Sequence, residues 1–196
     1  MYNDRIERKL TPKEKKFLGD VGEKITNDKI EDILFNMFKE SDFALKWYIH
    51  KGRYQTCSPY ERYKRYQKDG IDGLFHFNDI LVQVKTRQYS YYYKKDIYLE
   101  LGRKINGKER FNAWYSKDID LLLYYFYSFE EKRIKKGYAI ILDEFKKEFN
   151  SLEKIQRKYG LNYNTYVNPI KIKTYIPFNK FPENLFFKIS KIIRGD

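Results

Sequence analysis

At 196 residues, with 42% hydrophobic and 34% charged residues, the chain is long enough for one domain with a real core and is balanced like a globular protein, not a disordered one. Lys and Arg number 40 against 27 acids, and the net charge of +13 favours a polyanionic partner, nucleic acid being the usual one. A lone cysteine, Cys57, excludes an intramolecular disulfide, and with only His50 and His76 beside it a Cys/His zinc site is excluded as well.

The opening stretch MYNDRIERKLTPKEKK carries charge but no apolar segment of the kind a signal peptide needs, and no apolar run reaches membrane-spanning length. The expectation is an intracellular, cytoplasmic protein with no membrane partner. Residues 1–12 read as a polar lead-in. A helix then starts on Thr11 as N-cap, with Pro12 at the first helical position and Glu14 completing a capping box. Phe17, Leu18, Val21 and Ile25, then Ile30, Ile33, Leu34, Met37 and Phe38, continue at helical spacing, with a break or bend expected near Thr26–Asp28. Residues 44–50, ALKWYIH, read as a first strand. The basic, tyrosine-rich run KGRYQTCSPYERYKRYQK reads as a surface loop or short helix.

GLFHF and ILVQVKT follow as two short strands joined through Asn78-Asp79. DIYLELGRK and ERFNAWY flank Asn106-Gly107, a strong hairpin signal. DLLLYYFYS and GYAIIL are two more strands around a charged turn. Residues 143–159 form one amphipathic helix with Phe145, Phe149, Leu152 and Ile155 on a side, stopped by Gly160. The tail adds the strand IKIKTYI and a helix beginning near Pro182. There is no internal repeat and no Gly/Ser-rich linker. Helix, strands and helix in this order predict an α/β domain with a central mixed sheet flanked by helices.

The strand ILVQVKT poses the functional question. Residues two apart on a strand share a face, so Gln83 and Lys85 lie on one side, and Val82, Val84 and Thr86 on the other. A tight hairpin through Asn78-Asp79 brings Asp72, at the start of the preceding strand, toward Gln83. A carboxylate, an amide oxygen and an ammonium then converge. The two oxygens are hard ligands for Mg²⁺. The metal activates water, and the lysine orients that water and offsets charge on phosphorus. Glu23, one step after Gly22 on the first helix, offers a second acid. A solvent-facing edge strand would produce the same letters.

The segments GDVGEKI, DGIDGLFHF and ILVQVKT, in that order, resemble the PD-(D/E)XK nuclease superfamily, and most nearly its branch with glutamine in place of (D/E), which includes intron-encoded homing endonucleases. FNAWYSKDIDLLLYYF followed by GYAIIL is similar to the next strands of that branch. The resemblance spans Gly19 to Leu142. It implies a restriction-endonuclease-like core in a single nuclease domain over 1–196, with the core at about 13–142 and an extension over 143–196. By position, Glu23 matches the helix glutamate, Asp72 the metal aspartate, Gln83 the variant ligand and Lys85 the catalytic lysine. The backbone carbonyl of Val84 is expected to touch the metal. Ile71 stands where the family places proline.

The activity so implied is Mg²⁺-dependent hydrolysis of phosphodiester bonds in double-stranded DNA, of homing or restriction type, with Mn²⁺ able to substitute. A junction-selective resolvase and a non-catalytic DNA-binding protein on the same core are the alternatives. Cutting both strands with one site per chain implies a homodimer or a higher even oligomer. Candidate nucleic-acid contacts are Arg53, Arg62, Lys64, Arg65 and Lys68 in the basic loop, and Arg87, Tyr89, Tyr91, Tyr92, Lys94 and Lys95 after the catalytic lysine. Asp118 and Asp120 read first as a turn and a cap at the start of a strand, and second as accessory ligands. His76 reads as a packed strand residue, Cys57 as a loop residue, and Asp69 as a weaker competitor of Asp72.

Overall fold

The computed structural model describes residue 4 and residues 6–53, 74–77, 80–111, 119–166 and 169–194. It is an α/β architecture with one mixed and one antiparallel sheet flanked by helices. The first helix, α1, runs unbroken over Pro12–Glu40. Its start is as the sequence predicts: Thr11 and Glu14 form a reciprocal capping box behind Pro12. No break interrupts the helix near Thr26–Asp28. Leu18, Gly22, Thr26, Ile30, Ile33, Leu34 and Met37 form one continuous buried stripe, and the Thr26 hydroxyl is spent on the Tyr125 hydroxyl, 3.0 Å away, instead of competing with the helix backbone.

The predicted first strand at 44–50 is instead part of α2, Asp42–Arg53. Ser41 closes α1 and accepts from the backbone of Ala44 at 3.3 Å, so one residue ends one helix and caps the next. Ala44 and Trp47, three apart, turn to the core, and the Trp47 indole donates to Asp143 at 2.8 Å. The aromatic and β-branched letters of ALKWYIH suggested a strand; the three-residue spacing of its buried positions decides for a helix.

The strands are β1 Leu74–Phe77, β2 Ile80–Gln88, β3 Asp96–Ile105, β4 Lys108–Phe111, β5 Leu121–Ser128, β6 Arg133–Ile141, β7 Asn162–Asn164, β8 Ile170–Pro177 and β9 Phe186–Lys188. They make a five-stranded sheet in the order β1-β2-β5-β6-β9 and a four-stranded sheet in the order β4-β3-β8-β7. In the first, β2 and β5 are parallel and the other pairs antiparallel; all pairs of the second are antiparallel. The β1–β2 hairpin and the β3–β4 hairpin around Asn106-Gly107 both form. Gly107 takes a φ of 76° there, a left-handed conformation that glycine adopts without strain.

The helix expected over 143–159 is two: α3, Leu142–Glu148, and α4, Leu152–Tyr159. Ser151 caps the second by accepting from Lys154 N–H at 3.2 Å, so a residue of the break itself starts the new helix. After Pro182 the chain makes a 3₁₀ turn and then β9, which pairs with β6, before the short α5, Ser190–Arg194. Phe186 stacks on Tyr138 at 4.8 Å, and that packing holds the segment extended where a helix was expected.

β5 is buried along its whole length, as the middle strand of a sheet covered on both faces must be. Helices α1 and α5 cover one face. A Cβ on Gly137 would lie 2.1 Å from Ile193, and one on Gly22 would lie 2.1 Å from the Thr86 hydroxyl and 2.9 Å from Val84 Cγ1. One apolar cluster takes side chains from both sheets, including Leu99 and Ile176 from the smaller and Leu123 and Phe126 from the larger.

Gly22→Ala sets about 1 kcal/mol of helix propensity against a steric overlap with two stiff β-branched side chains. The overlap wins, because distances below 3.0 Å require α1 to lift from β2. The expected net loss is about 1–3 kcal/mol in urea unfolding. A neutral or stabilising outcome would contradict this helix–strand contact.

Candidate functional site

The packing of α1 sorts β2 into two faces. Val84 and Thr86 meet α1 at Gly22, and Val82 and Val84 are buried. Gln83, Lys85 and Arg87 therefore project from the opposite face, all half-buried. In the parallel register Gln83 lies beside Leu122, Lys85 beside Tyr124 and Arg87 beside Phe126, so both cations of this face have an aromatic neighbour on β5.

Strand β3 passes over the same face at Tyr98. The Lys85 ammonium lies 4.0 Å from the Tyr98 ring centroid and 3.5 Å from the Tyr98 backbone carbonyl. Arg87 donates to the Tyr124 hydroxyl at 3.1 Å and stacks 3.8 Å from the Tyr91 ring and 5.2 Å from that of Tyr98. The Tyr98 hydroxyl donates to Glu100 at 3.4 Å, and Lys171 reaches the same Glu100 oxygen at 3.1 Å. Burial, reinforced by the Glu100 carboxylate, pushes the Tyr98 phenol up, so it stays a neutral donor. Burial also pushes up the fully enclosed Tyr124. The result is a half-buried face carrying two cations, a neutral amide and several neutral phenols.

Other expected residues are placed as follows. Glu23 is half-buried on the turn of α1 that crosses β2, on the helix side of the strand, so it can meet Gln83 and Lys85 only around the edge of β2. That is the edge where β1 pairs, with Leu74 opposite Gln83. Asp72 lies outside the described residues, as do Asp69, Cys57, Asp118, Arg62, Lys64, Arg65 and Lys68. Arg53 ends α2 and His76 lies in β1. Val84 points its side chain at α1, which leaves only its backbone for a ligand role.

Two of the expected contact residues, Tyr89 and Tyr92, take part in packing. Tyr89–Lys94 is a 3₁₀ turn, in which residues three apart align on one side. Tyr89 and Tyr92 accordingly stack on each other at 5.2 Å, and Tyr92 packs edge-on against Phe126 at 5.6 Å. Tyr89 is 7% exposed, whereas Tyr93, which the sequence reading passed over, is 52% exposed. Tyr91 lies under Arg87. Lys94 is exposed and paired with Glu7 at 2.8 Å, and Lys95, also exposed, ends the turn in a left-handed conformation.

Tyr98, Glu100, Tyr124 and Lys171 were not anticipated. The only sequence signal for them was strand alternation, which puts Tyr98 and Glu100 on one face without saying which strand that face meets. Among the described residues no group of three or more His, Cys, Asp or Glu is placed to hold a metal ion.

Asp120 has the role of a cap. It is 1% exposed, its carboxylate accepts from Leu81 N–H at 2.8 Å, its own N–H donates to the Leu81 carbonyl at 2.9 Å, and its carbonyl accepts from Leu142 N–H at 2.8 Å. It thus ties the starts of β2, β5 and α3 together.

No family model, curated protein or solved structure matches the chain. No described helix is long and apolar enough to cross a membrane.

Asp120→Ala leaves the buried Leu81 N–H without its acceptor, and the expected cost is about 1–3 kcal/mol in chemical unfolding. An unchanged unfolding midpoint would mean that the carboxylate is retained for something other than holding these strands.

Proposed function

We propose that the chain is a Mg²⁺-dependent DNA endonuclease built on a restriction-endonuclease-like core, with Gln83 and Lys85 in its active site. The observation that carries this reading is the shared face of Gln83 and Lys85 on a strand whose other face is sealed by α1. A lysine half-buried among aromatic rings, beside an amide and an arginine, is expensive to keep as a mere surface residue and well suited to meet an anion.

The donor set fits a hard divalent cation in kind. Glu23, Gln83 and the Val84 carbonyl supply oxygen only, and Asp72 is the second carboxylate the set needs. When bound, the metal supplies a Lewis acid that activates water and offsets phosphate charge. Asp72 would carry most of the negative charge of the site, because Gln83 is neutral, and Glu23 would add to it only by reaching around the edge of β2. The Gln83 amide oxygen fixes direction more than it adds affinity. Lys85 orients the attacking water and offsets charge developing on phosphorus, and Tyr98 holds its ammonium in place.

Incubating the protein with plasmid and with a four-way junction, each with Mg²⁺ and with EDTA, tests the reading. Metal-dependent plasmid cutting supports it. Cutting confined to the junction makes the chain a resolvase, and binding without cutting makes it a DNA-binding protein.

Lys85→Ala should abolish cleavage while leaving duplex binding within about tenfold, since a group acting in the chemical step contributes there more than to holding substrate. Nicking at a near-native rate would remove Lys85 from the active site. At the neighbouring position, Gln83→Glu should remain active and bind metal more tightly, whereas Gln83→Leu should be inactive. Metal titrations of plasmid cutting read both, and full activity in the leucine variant would make Gln83 a surface residue.

A further inference from the structure

The smaller sheet has an open face that the candidate site runs into. Along β8, Ile172, Thr174 and Ile176 are fully buried, while Lys171, Lys173 and Tyr175 are half-buried on the other side. The antiparallel register sets Tyr98 beside Tyr175, Glu100 beside Lys173 and Arg103 beside Lys171, so these six share that face. Asn162 and Asn164 of β7 extend it, opposite Lys173 and Lys171. The reverse face places Ile97, Leu99 and Ile176 in the core.

We propose that this outer face is a docking platform for double-stranded DNA that leads the duplex to Lys85; the identity of the partner rests on the nuclease reading. Three observations support it. The first is charge: Lys171, Lys173 and Arg103 outnumber Glu100 among the six residues of the face, so the face stays cationic even with Lys171 paired to that acid. Lys171 and Tyr98 engage Glu100, and Asp96 lies in the field of Arg87 and Lys94. The second is continuity, because Tyr98 of this sheet is the ring on which both Lys85 and Arg87 rest. The third is chemistry. Cations and asparagine amides at alternate positions on adjacent strands suit phosphate oxygens and, secondarily, base edges. By contrast, Lys135 and Lys136 on β6 sit over Tyr89 and Tyr92, at 4.5 and 5.7 Å, and belong to the packing of the 3₁₀ turn.

The test is fluorescence anisotropy with a labelled mixed-sequence duplex. The full chain carries Lys85→Ala so that no cutting intervenes, and binding is followed from about 50 to 200 mM salt. Changing Lys171, Lys173 and Arg103 together to Ala should weaken all duplex sequences alike and make the log–log salt slope shallower by about 2–3 units. Lys173→Gln alone, a surface change with little bearing on folding, should lower it by about one unit. Lys171→Arg with Lys173→Arg should keep the native slope, as should Lys154→Ala with Lys158→Ala on α4. An unchanged slope in a triple variant with a native circular dichroism spectrum overturns the proposal. So does a loss seen with a single-stranded oligonucleotide but not with the duplex. If the native chain fails to cut plasmid yet the slope falls as expected, the nuclease reading fails and the platform stands. If it cuts and the slope does not move, the platform alone fails.

Discussion

The backbone of α1 rests at Gly22 directly on the Val84 and Thr86 side chains of β2, and the orientation of the candidate site depends on that approach. Strand side chains alternate, so sealing Val84 and Thr86 under a helix leaves Gln83, Lys85 and Arg87 only the opposite face. A slip of one residue in β2 would put a lysine and an arginine beneath α1, against its buried stripe, at a desolvation cost of several kcal/mol per charge. The register is therefore strongly enforced. The hydrogen bond between the Thr26 and Tyr125 hydroxyls, one helical turn further along, sets the rotation of α1 on the sheet. Asp120 sets the ends of the strands.

Tyrosine does two different jobs in this chain. Tyr124 and Tyr125 are both fully buried neighbours on β5, and each finds a partner on its own side of the sheet: Arg87 for one and Thr26 for the other. Phenols suit such positions because the ring fills volume and the hydroxyl satisfies one polar group. A tyrosine count of 20 is thus partly a packing inventory. Only some of the rings, such as Tyr98 and Tyr91, touch cations of the candidate site.

The parts of the fold legible in the sequence were those fixed locally. The capping box at Thr11–Glu14, the Asn106-Gly107 hairpin, the β1–β2 hairpin and the stop at Gly160 are each decided within a few residues. The alternation that separates Gln83 and Lys85 from Val82 and Val84 is equally local. What failed was decided at a distance. Trp47 helps to make 44–50 helical by packing on Asp143, Thr26 stays within an unbroken α1 with its hydroxyl engaged by Tyr125, and Phe186 makes a strand by stacking on Tyr138. The second sheet was foreseen as strands but not as a separate layer, because pairing β3 with β8 joins segments far apart in sequence. Tyr98 and Glu100 were invisible as site residues for the same reason. The packing within the tyrosine run after Lys85 was not foreseen, because a 3₁₀ turn, unlike a strand, brings Tyr89 and Tyr92 to one side.

The electrostatics of the face give the glutamine at position 83 a physical role. Lys85 and Arg87 are held close together by tyrosines, which shield them from solvent without cancelling their charge. A carboxylate at position 83 would neutralise part of that field before any substrate arrived. An amide leaves the face positive while still presenting an oxygen. Under the nuclease reading, negative charge then enters with the DNA itself, and the carboxylates of Asp72 and Glu23 are confined to holding the metal. On that reading such a site would attract phosphate through the field of its own strand and of the neighbouring sheet, where attraction falls with salt, and would reserve its acids for the short-range task of coordination.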